Sequence, residues 1–164
     1  MRYAPPDPGL FGANRRRLVE QLPGHALAIV HAADVQPTTG DGTRSLHPSG
    51  DLFWLTGIEQ EESVLVLAPR AADPARREML FLRQPNEQLA TWEGEKLSAE
   101  RATQLSGIRH VRWLAELPAV LHALMCESDA VYLGLNEHER AAYEVEERDL
   151  RMARRLMARY PLHR

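Results

Sequence analysis

Short, nearly continuous apolar runs, each bounded by turn-forming residues, constrain this chain more than any other feature. Residues 26–32, 63–67 and 130–134 are too short for independent helices and rich in β-branched side chains. Such runs read as strands buried on both faces, which requires helices above and below a sheet. Three further segments, 52–56, 78–82 and 109–113, share the β-forming composition. The spacers 59–62 and 71–77 are short and charged, so 52–56, 63–67 and 78–82 are expected to form an antiparallel meander.

Helical periodicity fills the intervals. Asp7 is a good N-cap and Pro8 suits the first helical position, where its missing N–H would be unpaired anyway. Phe11, Arg15, Leu18 and Leu22 then share one face, along which Arg15 can lay its stem while its charge stays wet. Pro23-Gly24 ends that helix. Ser98 caps a short helix through Gln104, with Glu100 in the first turn. Leu117, Val120, Leu121, Leu124 and Met125 mark another helix. The strand–helix–strand order of 109–134 predicts parallel pairing through a crossover. Asn136 and Glu139 form a possible capping box for a long closing helix, with Tyr143, Leu150, Ala153, Met157 and Tyr160 on its apolar face. Its acids gather early and its arginines late, which complements the helix dipole and reads as a solvated surface. No internal repeat is evident.

With 164 residues the chain suits one domain, whose core needs no disulfide or metal. A net charge of −3 argues against a general nucleic-acid binder. The lone Cys126 reads as a partly buried thiol in a reducing, cytoplasmic setting. The first eight residues lack the apolar core of a signal peptide, and no run approaches the length that spans a bilayer.

The chemistry that would define an active site is missing from the spacing. Seven histidines are scattered without zinc-protease pairing, and there is no Cys pair. No nucleophile elbow or phosphate loop occurs; Ser49-Gly50-Asp51 reads as a turn before a strand. His31, inside an apolar run, reads as a hydrogen-bonded core histidine. Asn14-Arg15-Arg16-Arg17 reads as a solvated face, and Glu59, Glu61 and Glu62 as a charged hairpin connection. Gly57, ending the aromatic segment 52–56, stands where the backbone needs a positive φ. Trp92, in a turn-rich segment before Gly94, packs over the sheet or meets a partner.

Taken in order, several pieces resemble the amino-terminal domain of the aminopeptidase P family, the Xaa-Pro aminopeptidases related to prolidase and creatinase. They are the arginine-rich first helix, the apolar strand 26–32, the Asp51-x-x-x-Leu55-Thr56-Gly57 segment, the strand 63–67, Trp92-x-Gly94 and the closing helix. The chain departs from the pattern at His47, where relatives often carry Arg, at Gly50, where Ser or Asn is common, and at Lys96, where Arg is frequent. The resemblance implies an α/β fold, a mixed six-stranded sheet flanked by helices. It implies one amino-terminal, non-catalytic domain over residues 1–164, placed before a separate catalytic domain. In the family that second domain holds two metal ions, usually manganese, through two Asp, one His and two Glu, and a metal-bound hydroxide attacks the bond before proline. None of those ligands is assigned to this chain, which is expected to hold no catalytic or metal-binding residue and no cofactor.

The resemblance further implies an accessory role in shaping a substrate channel and building an oligomer. His47, Asp51 and Trp92 are the channel candidates, with residues 38–48 as a loop at the entrance. The implied partners are the protein's own C-terminal catalytic domain, further copies of the chain and proline-containing peptides, with no nucleic acid and no membrane. Two alternatives stand beside this reading. One is a protein-binding module of a pseudo-peptidase, such as those that bind basic proteins, using the acids of 59–62 and 144–149. The other is the amino-terminal domain of a prolidase- or creatinase-type enzyme.

Overall fold

Asp7 accepts a hydrogen bond from the Gly9 N–H at 2.8 Å and starts helix α1, Pro8–Gln21. The computed structural model, in which this cap is seen, describes residues 6–35, 48–86, 90–91, 94–135 and 146–163. The remaining elements are β1 (Ala26–His31), α2 (Gly50–Thr56), β2 (Val64–Leu67), β3 (Glu78–Leu82), α3 (Ala99–Ser106), β4 (His110–Trp113), α4 (Leu117–Glu127), β5 (Ala130–Leu133) and α5 (Arg148–Arg159). Single 3-10 turns at Pro74–Arg76 and Leu114–Glu116 lead into β3 and α4.

The strands form one mixed sheet in the order β4-β3-β2-β1-β5. The central pairs β1–β2 and β2–β3 are antiparallel, while β4 runs parallel to β3 and β5 parallel to β1. Side chains alternate between two layers, as the pleat demands. Leu27, Ile29, Val64, Val66, Met79 and Phe81 pack against α4 and α5. Ala28, Leu65, Leu67, Leu80 and Leu82 pack against α1, α2 and α3. The three central strands are covered on both faces, which accounts for their unbroken apolar sequences.

Five strands are present among the described residues, one fewer than expected, because 52–56 is helical. Leu52, Leu55 and Thr56 are buried, a helical spacing rather than the alternation of a strand. Ser49 is the N-cap and Gly57, at φ 69°, the left-handed C-terminal residue, so Ser49-Gly50-Asp51 opens a helix instead of a strand. The antiparallel meander is therefore β1–β2–β3. The expected β4–β5 pairing also fails: both strands run parallel to their neighbours, but at opposite edges of the sheet.

The ends of α2 and α3 are built alike. Thr56 Oγ1 donates to Leu52 O at 2.7 Å and accepts from Ile58 N at 3.1 Å. Ser106 Oγ donates to Ala102 O at 2.7 Å and accepts from Ile108 N at 3.1 Å. Gly57 and Gly107 follow with φ of 69° and 73°, and Ile58 and Ile108 plunge into the core. This hydroxyl-Gly-Ile turn occurs twice, and the sequence carries it as Leu55-Thr56-Gly57-Ile58 and Leu105-Ser106-Gly107-Ile108.

Arg15 lies between the two turns. Its Nη1 donates to Leu55 O at 2.7 Å and Ser106 O at 3.0 Å, and its Nε to Glu78 Oε1 at 2.5 Å. Asn14 Nδ2 donates to Trp54 O at 2.8 Å. Arg15 is 3% exposed, so its charge is not wet as expected, and only Arg16 and Arg17 of the basic run face solvent. Carbonyls at two helix ends need donors, and a guanidinium supplies several in one plane.

The caps of α1 and α3 match expectation. Ser98 Oγ accepts from Arg101 N at 3.2 Å, and α3 runs two residues beyond Gln104. The exposed Glu100 carboxyl is held below its ordinary pKa by a backbone hydrogen bond and by the Ser98 hydroxyl. Ser98→Ala should cost about 1 kcal/mol. Ser49→Ala, which breaks a 3.4 Å contact, should cost less; thermal melts of the two variants give the comparison.

Candidate functional site

The sheet and its last helix bring four residues from distant parts of the chain together. His31 ends β1 on the face covered by α4 and α5, and its side chain is 1% exposed. Its Nδ1 lies 2.8 Å from Asp149 Oδ1, in the first turn of α5. The expected core hydrogen bond is therefore present, yet His31 Nε2 is buried with no hydrogen-bond partner among the described residues. At the end of β5, a Cβ built on Gly134 would stand 3.9 Å from Asp149 Oδ2 and 4.0 Å from Asp51 Oδ2. Asp51 thus reaches the sheet's edge from the first turn of α2, exposed, where its charge also suits that helix's N-terminus.

Helix α5 starts later than expected. Glu147, at ψ 158°, is its extended N-cap, so no single helix runs through Glu146 and Glu147. The proposed cap at Asn136 and Glu139 lies outside the described residues, as does Tyr143. The helix is also turned relative to the expected face. Met152, Leu156 and Tyr160 pack on the core, while Met157 is 69% exposed. Polar ties to β1 and its flank fix this rotation: the His31–Asp149 bond and a two-pronged Arg151–Asp34 pair at 2.8 and 3.0 Å.

The rotation opens a cleft of about 360 Å³ between α4 and α5. Leu117, Leu121, Met152 and Leu156 give it apolar walls. His31 and His122 line it, together with Arg148, Arg151, Arg155 and Arg159, and among the described residues no carboxylate does. Tyr160 Oη lies 2.5 Å from His122 Nδ1, and the Arg159 guanidinium stands 5.6 Å from the centre of the Tyr160 ring. Arg148 donates to Glu62 O at 3.4 Å. Burial pulls the Arg148 pKa below its ordinary value, with Arg151 acting in the same direction; Asp34, Glu62 and Asp149 oppose that shift. Arg154 pairs with Glu146, and Arg151 also donates to Glu146 O. Arg155 and Arg159 are exposed and have no carboxylate partner among the described residues. The expected solvated face holds for Arg154, Arg155 and Arg159, which are exposed, while Arg151 is half-buried against Asp34. Arg148, Arg151, Arg155 and Arg159 recur at helical spacing beside Met152 and Leu156, which is why they share the cleft.

Of the three channel candidates, His47 and Trp92 lie outside the described residues, as does most of the 38–48 loop; Asp51 is the one whose position is given. The acids of 59–62 do more than solvate a connection. Glu61 pairs with Lys96 at 2.5 Å, with Arg83 at 3.9 Å from the same carboxylate. Leu97 N donates to Gln60 Oε1 at 2.7 Å. These bonds tie the segment after Gly94 to the entry of β2. Cys126 is exposed rather than partly buried. Among the described residues, no three His, Cys, Asp or Glu side chains converge as a metal site would require.

Comparison with known proteins places these features in a family. The family model described as the aminopeptidase P N-terminal domain matches residues 11–132. The chain is 27% identical over 128 residues to the Xaa-Pro aminopeptidase of Escherichia coli K12, covering 78% of this chain and 29% of that protein. It is 27% identical over 118 residues to the mitochondrial intermediate cleaving peptidase 55 of Arabidopsis thaliana, covering 72% and 23%. A solved Bacillus anthracis structure assigned as an aminopeptidase P superposes with a TM-score of 0.85 at 23% identity, covering 96% of this chain and 37% of that one. The chain spans less than a third of the length of these curated relatives. By the match over residues 11–132, this chain belongs to the aminopeptidase P N-terminal domain family.

Proposed function

We propose that the chain serves as the accessory domain of a manganese-dependent Xaa-Pro aminopeptidase, an enzyme that removes a residue preceding proline. The observation that carries this reading is the family match over residues 11–132. The relatives' greater length leaves room for a catalytic domain that this one would accompany. The side chains present here do not fit a manganese centre, since no set of donors converges among the described residues. The metal and its hydrolytic step therefore belong, in this reading, to the partner domain.

The domain's own contribution is to shape the substrate channel and to build the oligomer. His47, Asp51 and Trp92 are its residues for the channel, and the half-exposed Trp54 is a large aromatic of the kind that interfaces use. Proline-containing peptides are the substrates of the assembled enzyme. Among the described residues no helix is long and apolar enough to cross a membrane, and a cytoplasmic setting fits the lone thiol. The acid-driven binding module has weaker support, because Glu61 is already engaged by Lys96.

The purified 164-residue chain, supplied with manganese, should release no alanine from an Ala-Pro peptide. Turnover that a chelator abolishes would overturn the reading. In the assembled enzyme, Trp92→Ala should lower kcat/KM at least tenfold, about 1.4 kcal/mol of transition-state stabilisation; an unchanged kcat/KM would remove Trp92 from the channel.

A further inference from the structure

Helix α5 carries more apolar surface than the core covers. Met152, Leu156 and Tyr160 pack inward. Leu150, Ala153 and Met157 recur at i, i+3 and i+7, which puts them along a second line of the same helix. Met157 is 69% exposed and Leu150 38%, and beyond the helix Leu162 is 94% exposed. Apolar residues exposed singly are ordinary, but a line of them on one helix face marks a contact surface. The adjoining edge strand is open as well: β5 meets the first turn of α5 at Gly134, and its side chains are only partly covered.

Size, charge and chain path decide the occupant. Three side chains bury far less than the roughly 1,200 Å² that holds a free complex together. Two copies of α5, each with five arginines and one aspartate between 148 and 159, would also repel. A domain tethered to the same chain meets the line at an effective concentration of about millimolar, so a small contact suffices. The path of the chain brings such a tether close. His163 Nε2 donates to Met125 O at 2.6 Å, and Tyr160 Oη lies 2.5 Å from His122 Nδ1, so residues 160–163 are held on α4. Even fully extended, the six residues from Met157 to His163 span only about 20 Å.

We infer that the Leu150–Ala153–Met157 line of α5 is the surface on which the catalytic domain that follows in the same protein docks. The inference rests on the accessory-domain reading and adds the face by which the two domains hold each other.

Reaction with N-ethylmaleimide tests it, in a Cys126→Ser background that removes the exposed native thiol. The Met157→Cys thiol should react like a free thiol in the 164-residue chain and at least tenfold more slowly in the assembled enzyme. The Arg155→Cys thiol, on the opposite side of the helix, should react alike in both. Leu150→Asp/Met157→Asp should leave the melting of the 164-residue chain unchanged, and should speed tryptic cleavage between the domains of the assembled enzyme at least tenfold. Equal Met157→Cys rates in chain and enzyme would overturn the inference. So would slowing in the 164-residue chain as its concentration rises, which would name a second copy as occupant, or on adding phosphatidylglycerol vesicles, which would name a lipid surface. An assembled enzyme that shields the Met157→Cys thiol yet cleaves no Ala-Pro peptide would support the docking and refute the aminopeptidase reading alone. An active enzyme that leaves the thiol open would refute the docking alone.

Discussion

Arg15→Met should destabilise the chain by about 3–5 kcal/mol, the range for removing one partner of a buried charged network. The substitution keeps the apolar stem but strips the donors from Leu55 O and Ser106 O, both at buried helix ends. Each orphaned carbonyl alone costs about 1–3 kcal/mol. Glu78, which is partly exposed, can turn to water and should add little. In a domain of this size the change should lower Tm on the order of 10 °C. Arg15→Lys should fall between wild type and methionine, because one ammonium cannot reproduce the planar fork. A methionine variant melting within a degree or two of wild type would show that water replaces the guanidinium at no cost.

Gly57→Ala carries the second large effect. The residue's φ of 69° lies in the left-handed region, which costs a non-glycine residue about 1–2 kcal/mol. A Cβ there would also run into the Phe11 ring, well inside van der Waals contact. Phe11 is wedged by its edge-to-face contact with Phe53, 6.1 Å between centroids, so it cannot easily withdraw. Overpacking of this kind costs about 1–3 kcal/mol, and the sum should reach about 2–5 kcal/mol. Gly94→Ala supplies the control: its φ is 77°, but an added Cβ meets nothing within 4 Å among the described residues, so only the backbone cost should appear. Phe11→Leu combined with Gly57→Ala should show coupling, with the double variant less destabilised than the sum of the single ones. Equal losses at Gly57 and Gly94 in urea denaturation would rule out the steric contribution.

The strands with both faces covered, β1, β2 and β3, were legible from their unbroken apolar composition, as were Asp7 and Ser98 as helix caps. Segment 52–56 was misread for a physical reason. Leu, Phe and Trp over five residues satisfy the composition of a strand, and helix is chosen only through distant groups. Asn14 and Arg15, some forty positions earlier, take the carbonyls that so short a helix leaves open. The local signs were Ser49 before the segment and Gly57 after it, whose expected positive φ is present as the cap of a helix rather than the end of a strand. The late arginines of α5 were legible as a solvated surface, and Arg154, Arg155 and Arg159 are exposed. The rotation that sets Arg148 and Arg151 along the cleft depends on the bonds from Asp149 to His31 and from Arg151 to Asp34, pairings no periodicity can reveal. The family resemblance rested on ordered motifs, and it survives even though the Asp51–Gly57 motif forms a helix rather than a strand.

The sheet's connectivity sets an order of assembly. β1, β2 and β3 follow one another at modest separation, so they can zip together while the rest of the chain is still loose. β5 must instead return from the far end of the chain to lie against β1, and that long closure has an entropic cost before any contact compensates for it. Its side chains end up only partly covered, unlike those of β2. Amide exchange should therefore be slowest at the middle of the sheet and fastest along β5 and α5. The outer line of α5 thus sits on the part of the molecule that arrives last and opens first, where a docked domain would slow breathing most.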